Sequence, residues 1–181
     1  MRKEAKRQLK GYPHFISVNG QAESSNLEDN DINLITAAQS FHWFDIEKTR
    51  KECQRILKPE GYIVLIWNQR KESETSFAKC IEQILMEYGK NYKETAQRDL
   101  GSRFAEFYGH SNFKRKIIQN SHTRTFEELR GMFLSISYTP TEGDAMYPQM
   151  IEHLKRLFTQ HQVNGQIRVE YNTEIIYGQI Y

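Results

Sequence analysis

Glycine-rich phosphate loops are missing from this sequence. Its 10 glycines are scattered over 181 residues. Neither Gly-x-x-x-x-Gly-Lys nor Gly-x-Gly-x-x-Gly occurs, which excludes a nucleotide cradle of either kind. Cysteine is scarce too. Cys53 and Cys80 are the only two, too few for a disulfide framework, and they fit a reducing compartment such as the cytoplasm. They lack the close pairing of a structural zinc site, and the six histidines form no His-Glu-x-x-His pattern. No metal site is predicted, and both thiols are assigned to packing. There is no Gly-x-Ser-x-Gly elbow and no cysteine–histidine signature to support nucleophilic catalysis. No apolar run approaches the roughly 20 residues needed to cross a bilayer, so no membrane partner is expected. The amino-terminal Met1–Arg7 stretch is charged with no apolar run behind it, unlike a signal peptide. An excess of one charge is also lacking. Lys and Arg number 25 against 23 Asp and Glu, a net charge of +2. A nucleic-acid-binding domain shows a larger positive balance. Only Arg2 to Lys10 and Lys114-Arg115-Lys116 offer that reading a foothold, and retention on a polyanion column at moderate salt tests it.

What is present is the composition of a globular domain. Hydrophobic residues make up 38%, charged residues 27% and aromatics 12%, enough apolar surface to build a core rather than a disordered chain. At this size roughly 70% of the unfolded surface is buried on folding. The chain is expected to be a single domain, with one half over 1–70 and the other over 71–181.

Hydrophobic periodicity orders the elements. Residues 1–10, five of them basic, read as a polar helix closed by Gly11. His14 to Asn19 reads as a short strand between Pro13 and Gly20. Ser24 to Asp31 is loop. Ile32 to Ala38 is apolar and partly β-branched, the pattern of a strand buried on both faces of a parallel sheet. Asp45 caps a helix to about Leu57, with Ile46, Thr49, Cys53 and Ile56 on one face. Lys58-Pro59-Glu60-Gly61 stops it, and Tyr62 to Trp67 is the strongest strand signal. Strands alternating with a helix imply an α/β sheet with right-handed crossovers. A second amphipathic helix follows over Glu72 to Gly89. Residues 90–112 read as irregular, Phe113 to Asn120 as an outer strand, and Thr125-Phe126-Glu127-Glu128 as a capping box opening a helix to about Ser137. A further helix starts around Asp144 to Pro148. The last strand runs from Ile167 to Tyr177. The two late helices form a small cap inserted between the last strands.

One segment is dense in polar and aromatic groups. Gly20-Gln21-Ala22-Glu23 and Gln39-Ser40-Phe41-His42-Trp43-Phe44-Asp45 each follow an expected strand, and Trp67-Asn68 follows a third. In an open α/β sheet, ligands bind beyond the carboxyl ends of the strands. These stretches are therefore the candidate site, although Phe44 alone reads better as a core filler.

These residues resemble the class I S-adenosylmethionine-dependent methyltransferases of the methyltransferase type 11 group. The resemblance rests on Gly20-Gln21-Ala22-Glu23, Ala37 to Asp45, Arg55-Ile56-Leu57-Lys58-Pro59-Glu60-Gly61 and the strand Tyr62 to Trp67. Ser137-Tyr138-Thr139-Pro140 and Val163-Asn164-Gly165 extend it through the carboxyl half. It implies a Rossmann-like sheet, S-adenosylmethionine as cofactor and a small-molecule methyl acceptor. Carried over, Gln21, Ala22 and Glu23 lie on the adenine side, and Gln39 and Ser40 lie along the cofactor. His42, Trp43, Trp67 and Tyr138 line the acceptor side, with His42 the single candidate for a base. The family's first strand with its glycine loop, and the second strand ending in an acid for the ribose hydroxyls, have no counterpart here. Smaller departures are Asn33 in place of a usual Asp, and Glu60 for the first Gly of Lys-Pro-Gly-Gly. The resemblance thus implies a truncated domain whose sequence starts inside the fold, at a helix where Met1 and Ala5 match a Met-x-x-x-Ala stretch. Cofactor binding and activity are expected to be weak or absent. Without their shared neighbours the strands at 14–19 and 32–38 leave backbone amides unpaired, and each buried one costs about 1–3 kcal/mol. A homodimer covering that edge is expected. A non-enzymatic dimeric interaction module is the alternative.

Overall fold

The computed structural model describes residues 2–71, 76–90, 92 and 100–180. It is a mixed α/β fold. The strands β1 (Ile32–Ala38), β2 (Leu57–Arg70), β3 (Lys114–Arg124) and β4 (Ile167–Gly178) form one sheet in the order β1-β2-β4-β3. Among the described residues the helices are α1 (Arg2–Gln8), α2 (Ile46–Ile56), α3 (Ser76–Tyr88), α4 (Leu100–Tyr108), α5 (Phe126–Leu134) and α6 (Tyr147–His161), with a 3-10 turn at Phe41–Trp43. The expected Rossmann-like α/β class, with helices inserted before the last strand, is what forms. Residues 72–75, the first part of the expected helix from Glu72, lie outside the described residues, as do 91 and 93–99.

Two compact units share the chain. The first comprises Met1–Ile66, Leu100–Arg115 and Ile176–Tyr181; the second comprises Trp67–Asp99 and Lys116–Ile175.

In the first unit β1 pairs in parallel with β2, Ile35 opposite Ile63 and Ala37 opposite Leu65. A two-residue hairpin cannot join parallel strands, and here α2 makes the crossover. Asp45 caps α2, its carboxylate accepting from the Lys48 amide at 3.2 Å. The predicted stripe Ile46, Thr49, Cys53 and Ile56 is buried, and α2 packs against α4. Pro59 falls in a bulge, because the register shifts between Ile32 and Leu34. Pro at an irregular strand position loses no ladder bond. Tyr108 locks this unit from inside: its buried hydroxyl sits 3.2 Å from the carbonyls of both Ile63 and Ile176. Gly109 follows at φ +77 with the Arg50 guanidinium against its Cα, so a side chain there meets both backbone strain and a clash.

Three expectations fail in this unit. His14 to Asn19 forms no strand; Ile16 is 80% exposed and Val18 46%. Local β propensity has no ladder to join there, and a strand without a partner is not stable in water. β1 is not buried on both faces: Ala37 alone of its residues is fully buried, and Leu34 is 53% exposed. Residues 100–108 are helical rather than irregular. Phe104, Phe107 and Tyr108 carry a helical spacing that outweighs Gly101, and all three are buried.

The second unit has its own core. Ile81, Ile84 and Leu85 of α3 meet Leu129 and Phe133 of α5 and Met150 and Leu154 of α6. The expected capping box at Thr125 is present: its hydroxyl accepts from the Glu128 amide, and the Glu128 carboxylate accepts from the Thr125 amide at 2.8 Å. Pro148 lies in the first turn of α6, where a missing N–H costs nothing.

Candidate functional site

The first unit assembles most of the sequence-predicted site. Gly20 allows the chain to fold back tightly, since a Cβ there would lie 2.7 Å from the Ser25 carbonyl oxygen. Gln21 and Ser24 then close a small turn through reciprocal backbone hydrogen bonds of 3.0 and 3.1 Å. Glu23 projects from this turn to the start of α2. Its carboxylate accepts from the Asp45 amide at 3.3 Å and from the Thr49 hydroxyl at 3.4 Å. A carboxylate at a helix N-terminus is favoured by the exposed amides and the helix dipole. This contact joins the 20–24 turn to the loop that follows β1.

That loop is held from its other side. The Gln39 amide donates to the Ile66 carbonyl at 3.0 Å, and Gln39 itself takes φ +53, an uncommon conformation for a side-chain-bearing residue. The Ser40 carbonyl accepts from the Trp43 amide at 2.9 Å and closes the 3-10 turn. Phe41 is buried against Phe104 and Phe107, with ring centroids 5.1 and 5.3 Å away. The Arg103 guanidinium sits 5.6 Å from the Phe41 ring centroid and donates to the Phe44 carbonyl at 3.1 Å. Phe41 and Arg103 therefore set the loop's shape. Phe44 is half-buried beside Phe41, as a packing role requires.

A polar network fastens the preceding loop to α2. Glu52 accepts from the Ser25 amide at 2.8 Å and its hydroxyl at 2.6 Å, and pairs with Arg55 at 2.8 Å; Arg55 also pairs with Asp29. Arg55 foremost, with Ser25, holds the Glu52 carboxyl down at about 2 despite its partial desolvation. Asp45 is likewise held below the usual carboxylate range by the Lys48 side chain and then the Lys48 amide.

The predicted site residues thus divide. Glu23, Gln39, Ser40, His42 and Trp43 lie on one joined pair of loops, with Gln21 and Ala22 exposed on the turn. His42 is half-buried and its ring lies 4.7 Å from that of Trp43, which is itself 65% exposed. Trp67 and Asn68 do not follow a strand as expected. β2 continues to Arg70, and the Asn68 side-chain oxygen accepts from the Thr173 hydroxyl at 2.7 Å. The longer strand is explained by β4, whose Glu170 carbonyl accepts from the Lys71 amide at 2.9 Å. Trp67 and Tyr138 belong to the second unit. There the Tyr138 ring packs 5.4 Å from Tyr92, and its carbonyl accepts from the Lys90 amide. Sequence reasoning missed Arg103, Glu52, Arg55 and Ser25. Arg103 is 59 residues from Phe44, too remote for any local pattern. The i,i+3 spacing of Glu52 and Arg55 was a visible helix-pair signal.

A cavity in this unit lies elsewhere. It holds about 220 Å³ and is lined by Asn30, Gln54, Leu57, Lys58, Pro59, Gly61 and Ile180. Asn30 precedes β1 and Leu57 opens β2, so it sits at the amino ends of the strands, away from Gln39. Among the described residues no group of His, Cys, Asp and Glu is arranged to hold a metal ion, and no helix is long and apolar enough to cross a membrane.

Comparison with known proteins gives this geometry a context. A family profile described as a methyltransferase domain matches residues 1–65. An uncharacterized methyltransferase-like protein of Schizosaccharomyces pombe is 29% identical over 170 residues, 91% of this chain and 64% of that protein. A second uncharacterized methyltransferase of the same yeast is 29% identical over 155 residues, 82% of this chain and 59% of its own. The chain thus spans about 60% of the length of these relatives. Among solved structures, a putative type II methyltransferase from Anaeromyxobacter dehalogenans superposes with a TM-score of 0.62 at 14% identity, covering 93% of this chain and 73% of that one. A putative methyltransferase from an antibiotic biosynthesis pathway of Anabaena variabilis gives 0.55 at 16% identity, covering 93% and 75%. The class I methyltransferase resemblance read from Gln21 to Gly61 is borne out, and with it the Rossmann-like fold. The family uses S-adenosylmethionine in general.

The residues present do not fit the whole of that cofactor. Gln21 is exposed, but the Glu23 carboxylate is occupied by the Asp45 amide and the Thr49 hydroxyl. No glycine loop for the methionine end occurs in this sequence, and the exposed Trp43 walls off no dry space. No transfer step is assigned to these residues.

Proposed function

We propose that this chain carries one wall of a small-molecule S-adenosylmethionine-dependent methyltransferase site, and that by itself it binds the cofactor weakly and is inactive or weakly active. Gln21, Ala22 and Glu23 form the adenine side of that wall, and Gln39 and Ser40 run along it. His42 and Trp43 stand toward the acceptor, with Trp67 and Tyr138 the acceptor-side candidates of the second unit. The observation that carries the reading is the Glu23 clasp. It brings the two matching stretches into one surface, yet leaves Gln21, Ala22, Gln39 and Trp43 in water. Methyl transfer depends on holding a sulfonium methyl in line with its acceptor in a water-excluded site, and an open wall supplies neither constraint. His42, its ring tilted against that of Trp43, serves packing or acceptor contact rather than proton removal.

Calorimetric titration of the whole chain with S-adenosylmethionine and S-adenosylhomocysteine tests this. The expected result is no saturable heat in the micromolar range. A micromolar affinity, abolished by Gln39→Ala with folding intact, overturns the weak-binding claim.

A further inference from the structure

We propose that Asn164-Gly165 is a guarded self-modification site: its asparagine deamidates only when the turn from α6 to β4 opens, and the Gln162 side chain is the guard. This goes beyond the methyltransferase reading and stands whether or not the chain binds the cofactor. The turn lies inside the second unit. Gln162 follows α6, its amide donating to the Phe158 carbonyl at 2.8 Å. The Val163 amide then donates to the Gln166 carbonyl at 2.8 Å, and the Gln166 amide donates back to the Val163 carbonyl at 3.1 Å. Asn164 and Gly165 are the two residues between, at φ +52 and +75. Positive φ at both central positions is the turn for which Asn-Gly is preferred. Residues 162–166 are all exposed, so water and hydroxide reach the turn.

Asn-Gly is also a chemically weak pair, because glycine has no side chain to hinder attack by its nitrogen. Hydroxide takes the Gly165 amide proton, and the nitrogen attacks the Asn164 Cγ. The new C–N bond replaces the bond from Cγ to Nδ2, and ammonia leaves after taking a proton from water. Water then opens the five-membered imide at one of its two carbonyls. Opening at Cγ leaves an aspartate at position 164. Opening at the main-chain carbonyl leaves an isoaspartate, with the chain running through Cβ and Cγ. Either product adds one negative charge, and no oxidant or reductant is needed.

Two features of the closed turn oppose the first step. The Gly165 N–H donates to the Gln162 side-chain oxygen at 2.7 Å, so the proton that must leave is held. Ring closure also requires the peptide plane between Asn164 and Gly165 to rotate about the Asn164 Cα–C bond. That rotation carries Gly165 out of the turn and breaks the bridge between Val163 and Gln166. Reaction therefore runs through the locally opened state, in proportion to its population. The isoaspartyl product has an extra main-chain carbon, and a two-residue turn no longer closes the bridge. The modification thus holds the turn open at the entry to β4, beside the buried Ile167.

Timed incubation of the whole chain at mildly alkaline pH, followed by peptide mapping with mass spectrometry, is the test. The conversion of amide to acid at position 164, and its division between aspartyl and isoaspartyl peptides, are read for native and urea-unfolded chain. Native deamidation is expected to be at least about tenfold slower than in urea. Gln162→Ala removes the acceptor and is expected to speed the native reaction about 2- to 10-fold, the effect of losing one ordinary hydrogen bond. Gln162→Glu keeps an acceptor and is expected to stay slow. Equal rates in native and unfolded chain, no acceleration in Gln162→Ala, or equal acceleration in both variants overturns the proposal. If Gln162→Ala destabilises the whole fold, hydrogen exchange of the native chain decides. A Gly165 amide protected as well as that of Gln166 supports the guard, and unprotected exchange at Gly165 refutes it.

Discussion

Replacing Glu52 with Gln removes a charge while keeping the shape of the clasp between the 25–29 loop and α2. The Glu52 side chain is 11% exposed and accepts from the Ser25 amide, the Ser25 hydroxyl and Arg55. Its carboxyl is held at about 2 instead of its ordinary 4.5, chiefly by Arg55. Converted in full, that difference is about 3.4 kcal/mol. The Arg55 side chain is 37% exposed, however, and solvent screens such pairs. The expected cost of Glu52→Gln at neutral pH is therefore about 1–2 kcal/mol. The sign follows from linkage. A carboxyl depressed in the folded state contributes stability that is complete above its unfolded value of 4.5 and disappears as pH falls through about 2. Urea titrations followed by tryptophan fluorescence at pH near 7, 4 and 3 measure the gap between native and variant. It should be widest at neutral pH and narrow at each acidic step. Hydrogen exchange at the Ser25 amide should rise in the variant at neutral pH. A gap that does not change with pH, or none at pH 7, would show that solvent already satisfies Glu52, and the clasp would lose its energetic meaning.

Tyr108→Phe should destabilise the first unit by about 1–3 kcal/mol, read by thermal melting, because the buried hydroxyl serves the Ile63 and Ile176 carbonyls at once. Thr125→Ala should cost about 1 kcal/mol and fray the start of α5, seen as faster exchange at the Glu128 amide, while Thr125→Ser keeps the cap. Leu85→Ala, in the fully buried core of the second unit, should cost about 2–5 kcal/mol by denaturant titration. The Cys53 thiol is buried, and desolvation pushes it up to about 12. It should resist a thiol reagent at pH 8 until urea unfolds the chain.

Local chemistry was legible where one stretch of sequence contained its own partners. The cap at Asp45, the box at Thr125 and Glu128, and the stripe Ile46–Thr49–Cys53–Ile56 all formed as the spacing required. Each needs only residues within a turn or two. The failures share the opposite property. His14 to Asn19 carries strand chemistry, but a strand is defined by a neighbour, and nothing within six residues says whether one exists. Ile32 to Ala38 reads as buried on both faces because composition records what a strand tolerates, not what stands beside it. Residues 100–108 failed for a smaller reason: one glycine was weighed above three aromatics at helical spacing.

The candidate site shows the same division. Its two loops were found because each follows a strand and is dense in polar and aromatic groups. Their junction was not found, because Glu23 meets Asp45 and Thr49 across more than twenty residues. That junction fixes the backbone of the wall through charge and helix-end amides, interactions that need no ligand. Binding a cofactor demands more: donors aimed from several sides and enough enclosure to exclude water. Here Glu23 and Arg103 already bond within the chain, while Gln21 and Trp43 are exposed. The shape of these loops therefore rests on Glu23, Phe41 and Arg103 and their partners within the chain.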